Sequence, residues 1–186
     1  DDVNKILEDN IIVPGYEPFI DDLKKMNKLS SILENNKKSR GCSNLDIPDI
    51  KTEGSKENLT IELRHQRTAE HLIENFMLAA NESVASYVYW MGLPFIYRIH
   101  ENPNEETIKS IVMLLNNLGY DFKKCKNLED NYTIQYIADQ VKQHDEDGIL
   151  SQILLQGLKK ARYDNINLGH FALALEIYTH FTSPIR

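Results

Sequence analysis

The chain has 186 residues, 41% of them hydrophobic and 26% charged, the balance of an ordinary globular protein with room for one real core. Asp and Glu outnumber Lys and Arg by 28 to 21, a net charge of −7. That excludes a protein that grips nucleic acid through its overall charge, so any anion site must be local.

The two cysteines, Cys42 and Cys125, lie far apart with no CxxC pairing. This argues against a disulfide framework or a Cys-rich zinc site and fits a reducing, cytosolic setting. The uncharged run Ser83 to Tyr97 falls short of the ~20 residues that a membrane span needs, and Gly92 and Pro94 interrupt it. No membrane or targeting segment is visible. The chain opens on Asp1 rather than Met and closes on Arg186 inside a motif-like run, so a piece of a longer protein is expected.

Taken in chain order, Phe19, Leu23, Met26, Leu29 and Leu33 recur at helical spacing and predict a long amphipathic helix. It is expected to fray in the polar run from Glu34 and to stop at Gly41. Leu45 to Gly54 and Leu59 to Arg64 have extended character around Pro48 and Gly54, which predicts two short strands joined by a turn. A helix over Thr68–Met91 follows, with Leu72, Phe76, Ala80, Val84, Val88 and Met91 along one stripe. Phe95–His100 reads as a short strand. Asn104–Tyr120 reads as a helix with an acidic first turn and Gly119 near its end. Two more helices are predicted, near Tyr132–Lys142 and Gly148–Ala161, before a closing motif that begins at Tyr163. The expected fold class is α+β, predominantly helical with short strands.

Six histidines invite a search for a metal site, but they include no HExxH and no i, i+4 pair on one helix. His100 with Glu101 resembles half of a metalloprotease motif only in letters. Gly92–Pro94 and Leu118–Tyr120 are loop punctuation, since neither is a glycine-rich loop ahead of a helix with a phosphate-binding lysine, so no nucleotide cofactor is indicated. Aspartates occur in pairs, such as Asp21 with Asp22, and never as the compact set that would hold a hard cation. Three basic clusters stand out: Lys37, Lys38 and Arg40; Lys123, Lys124 and Lys126; and Lys159, Lys160 and Arg162. A run of charge is usually a solvated face, yet the third leads directly into the closing motif.

That motif ends in GHFALALEIYTHFTSPIR, Gly169 to Arg186. His180, Thr182 and Ser183 carry hydrogen-bonding groups, and Arg186 offers a planar fork of donors that fits a phosphate. Pro184 fixes its own φ and biases Ser183 toward an extended backbone, so these groups are expected on an ordered, non-helical segment.

Read together, Arg64–Pro103 and Ala161–Arg186 resemble the catalytic (RNB) domain of the ribonuclease R and ribonuclease II family. Tyr16–Leu33 and Arg40–Pro48 agree with it, and the ribonuclease R branch is the nearer. The resemblance implies a single, partial RNB catalytic domain over 1–186, truncated at both ends. Its parent would be a cytoplasmic, processive, Mg²⁺-dependent 3′→5′ exoribonuclease that hydrolyses single-stranded RNA from its 3′ end to 5′-monophosphates, with water as nucleophile. The family's metal-holding aspartates would lie upstream, so no metal ligand is expected here and the isolated chain would be inactive. The resemblance makes Arg186 the catalytic arginine beside the scissile phosphate. It also makes Tyr178, His180, Thr182, Ser183, Asn167, Gly169 and His170 residues that contact RNA or shape its channel. The short strands would belong to a sheet whose other members are missing, leaving an exposed edge.

Three positions depart from the family pattern. Leu45 stands where an aromatic is usual, Asn75 replaces the second acid of a pair beginning at Glu74, and Ile166 replaces a glutamate. With the acidic balance, they leave open a second reading, a non-catalytic RNA-binding or protein-interaction relative.

Overall fold

The computed structural model describes residues 2–42, 49–55, 58–64, 66–122, 125, 127–128, 130–143 and 148–182, with backbone alone for 49–55 and 58–64. Among them the chain is α+β and mostly helical. The elements are α1 (Asp2–Glu8), α2 (Ile20–Ser39), β1 (Asp49–Ser55), β2 (Asn58–Arg64), α3 (Thr68–Trp90), β3 (Tyr97–Ile99), α4 (Glu105–Asn117), α5 (Asn131–Lys142), α6 (Ile149–Gly157) and β4 (Arg162–Asp164). The described residues divide into two compact units, those of 2–36 and 49–79, and those of 37–42 and 80–182.

In the first unit, α1 supplies the cap that α3 lacks in its own sequence. The first N–H groups of a helix have no intrahelical acceptor. Glu8 accepts from the Thr68 N–H at 3.0 Å, and Asn4 Oδ1 accepts from the Ala69 N–H at 2.8 Å. The Arg67 guanidinium donates to the other Glu8 oxygen at 2.6 Å and holds that carboxyl down at about 2. A carboxylate is also favoured at the positive end of the α3 dipole. Deeper in, Asn75 donates to Ser30 Oγ at 3.0 Å, and both residues are buried. Asn75, a departure from the family pattern, therefore has a packing role between α2 and α3. Strands β1 and β2 form an antiparallel pair from Asp49↔Arg64 to Ser55↔Asn58.

The second unit holds the main core. Amphipathic stripes on α4 (Ile108, Ile111, Leu115), α5 (Ile134, Ile137, Val141) and α6 (Leu154) meet there with Phe122 and Phe171. Asn104 caps α4 by accepting from the Glu106 N–H, and Asp130 caps α5 by accepting from the Thr133 N–H. Helix α6 stops at Gly157, four residues short of the sequence expectation. A Cβ there would sit 2.3 Å from Ile111 Cδ1, and Leu158 turns extended to bury its own side chain.

Helix α2 departs the other way and runs on to Ser39 instead of fraying from Glu34. Its final carbonyls find donors on α5, where Tyr132 Oη reaches Ser39 O at 2.9 Å and Gln135 Nε2 reaches Lys38 O. Gly41, at φ +84°, then turns the chain away.

Each described strand pairs with another strand of the chain. Strand β3 pairs antiparallel with β4, Arg98 opposite Tyr163. The Arg98 N–H points the other way and donates to Tyr178 O at 2.9 Å, so the closing segment covers the second edge of β3.

Candidate nucleic-acid interface

From Tyr178 to Thr182 the closing segment is non-helical backbone held on residues of the second unit, beside β3 and in the later half of α3. Thr179 Oγ1 donates to Ile96 O at 2.7 Å. Asn81, in the middle of α3 and fully buried, points its amide at the end of the segment. Its Oδ1 accepts from the Phe181 N–H at 3.0 Å, the Thr182 N–H at 2.8 Å and Thr182 Oγ1 at 3.0 Å, while its Nδ2 donates to Tyr178 Oη at 3.1 Å. Two backbone donors facing one atom require an oxygen there, which fixes the amide's orientation.

Ahead of the segment lies a tight loop. Asn167 Oδ1 accepts from the Gly169 N–H, and Asn167 Nδ2 donates to Glu176 O at 2.8 Å. Gly169 has φ +78°, a left-handed conformation that suits glycine, and its carbonyl accepts from the His100 N–H. The His170 N–H donates to Leu175 O at 2.7 Å, and its Nδ1 accepts from the Leu173 N–H. Asn167 and His170 thus spend these hydrogen bonds on the loop itself, while Gly169 also ties it to His100 beside β3. A cavity of about 310 Å³ opens beside it, lined by Arg40, Asn131, Gly169 and His170 among others.

Rings link the loop to the surface. His100, His170, Tyr178, His180 and Tyr163 contact one another in turn, edge to face, with centroids 5.1 to 5.7 Å apart. Tyr178 is 2% exposed and shapes the interior, whereas Tyr163 lies at the surface. Tyr163 Oη and His180 Nδ1 share a hydrogen bond of 2.8 Å, and the Arg98 guanidinium lies 4.7 Å from the centre of the Tyr163 ring. Burial pushes the His170 ring down to about 3, and burial with the nearby Arg98 charge lowers His180 as well. Both rings are neutral at pH 7.

Of the sequence-predicted site residues, the structure brings together Tyr178, His180 and Thr182 on the segment and Asn167, Gly169 and His170 on the loop. Ser183 and Arg186 lie outside the described residues, as does Leu45. Ile166, the third departure, is exposed.

The basic clusters fare differently from one another. Arg40 is committed to both oxygens of Glu82, and Lys37 is buried. The second cluster lies outside the described residues. In the third, Lys159 and Arg162 both pair with Glu101 at 3.0 Å, and Arg162 also pairs with Asp164. His100 is buried and Glu101 serves these ion pairs. Among the described residues no three His, Cys, Asp or Glu side chains gather to hold a metal ion.

Sequence reasoning missed Asn81, Arg98 and Tyr163. The signal for Asn81 was an amide beside the apolar stripe of a strongly helical stretch, where a polar residue must find buried partners.

The model of the RNB domain matches residues 1–186, the whole chain. The chain belongs to the RNB domain family. Ribonuclease R 1 of Lactococcus lactis is 38% identical over 189 residues, covering 100% of this chain and 23% of the relative. Ribonuclease R of Thermotoga maritima is 36% identical, covering 99% of this chain and 26% of the relative. The apo form of Mycoplasma genitalium RNase R superposes with a TM-score of 0.85 at 28% identity, over 100% of this chain and 29% of that one. The same enzyme in complex with ribose methylated single-stranded RNA gives the same score. This RNB chain spans about a quarter of the length of the curated relatives it matches.

Proposed function

We propose that these residues act within a processive 3′→5′ exoribonuclease that degrades single-stranded RNA to 5′-nucleoside monophosphates in the cytoplasm. The observation that carries the reading is the pinned, non-helical run Tyr178–Thr182 in an RNB domain, which leads in sequence straight into Ser183, Pro184, Ile185 and Arg186. A bidentate, charge-assisted contact from Arg186 to the scissile phosphate would stabilise the negative charge that develops as water attacks. His180, neutral and with Nδ1 committed to Tyr163, has its other ring nitrogen to offer to the RNA backbone, and Thr182 and Ser183 add hydroxyls. Tyr178, Asn167, Gly169 and His170 give the channel its shape.

The described residues do not fit a Mg²⁺ ion, since no three acidic, histidine or cysteine side chains among them gather. The metal, whose ligands we assign to the sequence upstream, would supply Lewis-acid chemistry in the complete protein.

The test is Arg186→Lys in the protein translated in full from its gene. Lysine keeps the charge and loses the fork. Turnover of single-stranded RNA should fall about 100-fold with KM little changed. An unchanged kcat would remove Arg186 from the chemistry. A full-length protein that binds RNA without hydrolysing it would favour the non-catalytic reading.

A further inference from the structure

We infer that Asn81 is a positioning residue for the reaction, holding the closing segment in register for the chemistry that follows it in sequence. The inference rests on the exoribonuclease reading above. Asn81 lies 100 residues from Phe181 and is fully buried, yet its side-chain oxygen takes three hydrogen bonds from Phe181 and Thr182. A helix side chain is a rigid mount, since the helix backbone fixes its origin and packing fixes its rotamer. Tyr178 Oη, on the segment itself, accepts from Nδ2 and keeps the amide from rotating. The neighbouring ties, Arg98 to Tyr178, Thr179 to Ile96 and His180 to Tyr163, come before Phe181 in sequence. Asn81 is thus the last described tie before Arg186, four residues beyond Thr182.

A tie of this kind acts on turnover more than on binding. Long nucleic-acid contacts set affinity through many phosphates, whereas a displacement near 1 Å at the reacting phosphate costs on the order of 100-fold in rate.

The experiment uses the full-length protein and a single-stranded oligoribonucleotide. Asn81→Ala should lower the single-turnover rate on the order of 10- to 100-fold and leave the Kd measured in chelator within about threefold. Asn81→Asp keeps an acceptor oxygen in place and should recover much of that rate. Ile108→Val, in the core of α4 to α6, is the comparison for general destabilisation and should not show the split. If Asn81→Ala does not fold, Tyr178→Phe, which frees the amide and keeps the ring, should show a smaller loss of the same kind.

A rate loss no greater than that of Ile108→Val, or a rate and affinity that fall together, overturns the inference. Arg186→Lys, run beside these, separates the two claims. If it leaves the rate intact while Asn81→Ala slows turnover, the Arg186 assignment fails and the Asn81 inference stands.

Discussion

His170 is 9% exposed, and its ring is held neutral because charging it inside the second unit forfeits hydration. Its folded pKa of about 3 lies below the 6.5 of a free ring, so between these values the unfolded chain binds more protons than the native one. Stability is therefore full above about pH 6.5 and declines as pH falls toward 3, by up to about 1.4 kcal/mol per pH unit from this residue. His100, lowered by burial as well, acts in the same direction. Urea melts at pH 7 and pH 5 should show this loss, and His170→Gln should reduce the slope. An equal slope in the variant would mean that another group carries it. Gly169 makes a second prediction. Its φ of +78° is strained for any side chain, and a Cβ would lie 3.3 Å from Leu175 O. Gly169→Ala should cost about 1 kcal/mol or more, read as a lowered denaturation midpoint, and a neutral result would contradict the geometry drawn for the loop.

The elements show where sequence patterns carry information and where they lose it. Helices α4 and α5 were legible because their apolar stripes face one core and their caps, Asn104 and Asp130, sit beside them in sequence. Strands β1 and β2 were legible from their extended runs. Helix α3 was placed correctly, but its most buried face includes Asn75, Asn81 and Ala85, off the apolar stripe read from sequence. Apolar periodicity is blind to an amide that is buried because it is hydrogen-bonded. The length of α2 was misread because Tyr132 and Gln135, on α5, satisfy its last carbonyls. β4 was missed for a like reason, since three residues become a strand only when β3 is there to pair with them. Of the candidate interface, the closing run was visible as a motif, whereas the Asn81 tie depends on contacts about 100 residues apart. The ion pairs of Glu101 with Lys159 and Arg162 join residues 58 and 61 positions apart, also beyond the reach of a local sequence pattern.

At the level of the whole chain, the RNB match covers all 186 residues, while the relatives are about four times as long. With a net charge of −7, binding of the proposed RNA substrate would rest on local geometry rather than on overall charge. With no metal-binding cluster among the described residues, the purified 186-residue chain should leave labelled RNA intact in Mg²⁺, and detectable Mg²⁺-dependent hydrolysis by it would refute the placement of the metal ligands upstream. The proposed direction and product can be read directly on the full-length protein. Single-stranded RNA labelled at its 5′ end, incubated with the full-length protein and Mg²⁺, should shorten one nucleotide at a time from the 3′ end and release 5′-monophosphates. Early internal cuts, or RNA that stays full length, would contradict the proposal.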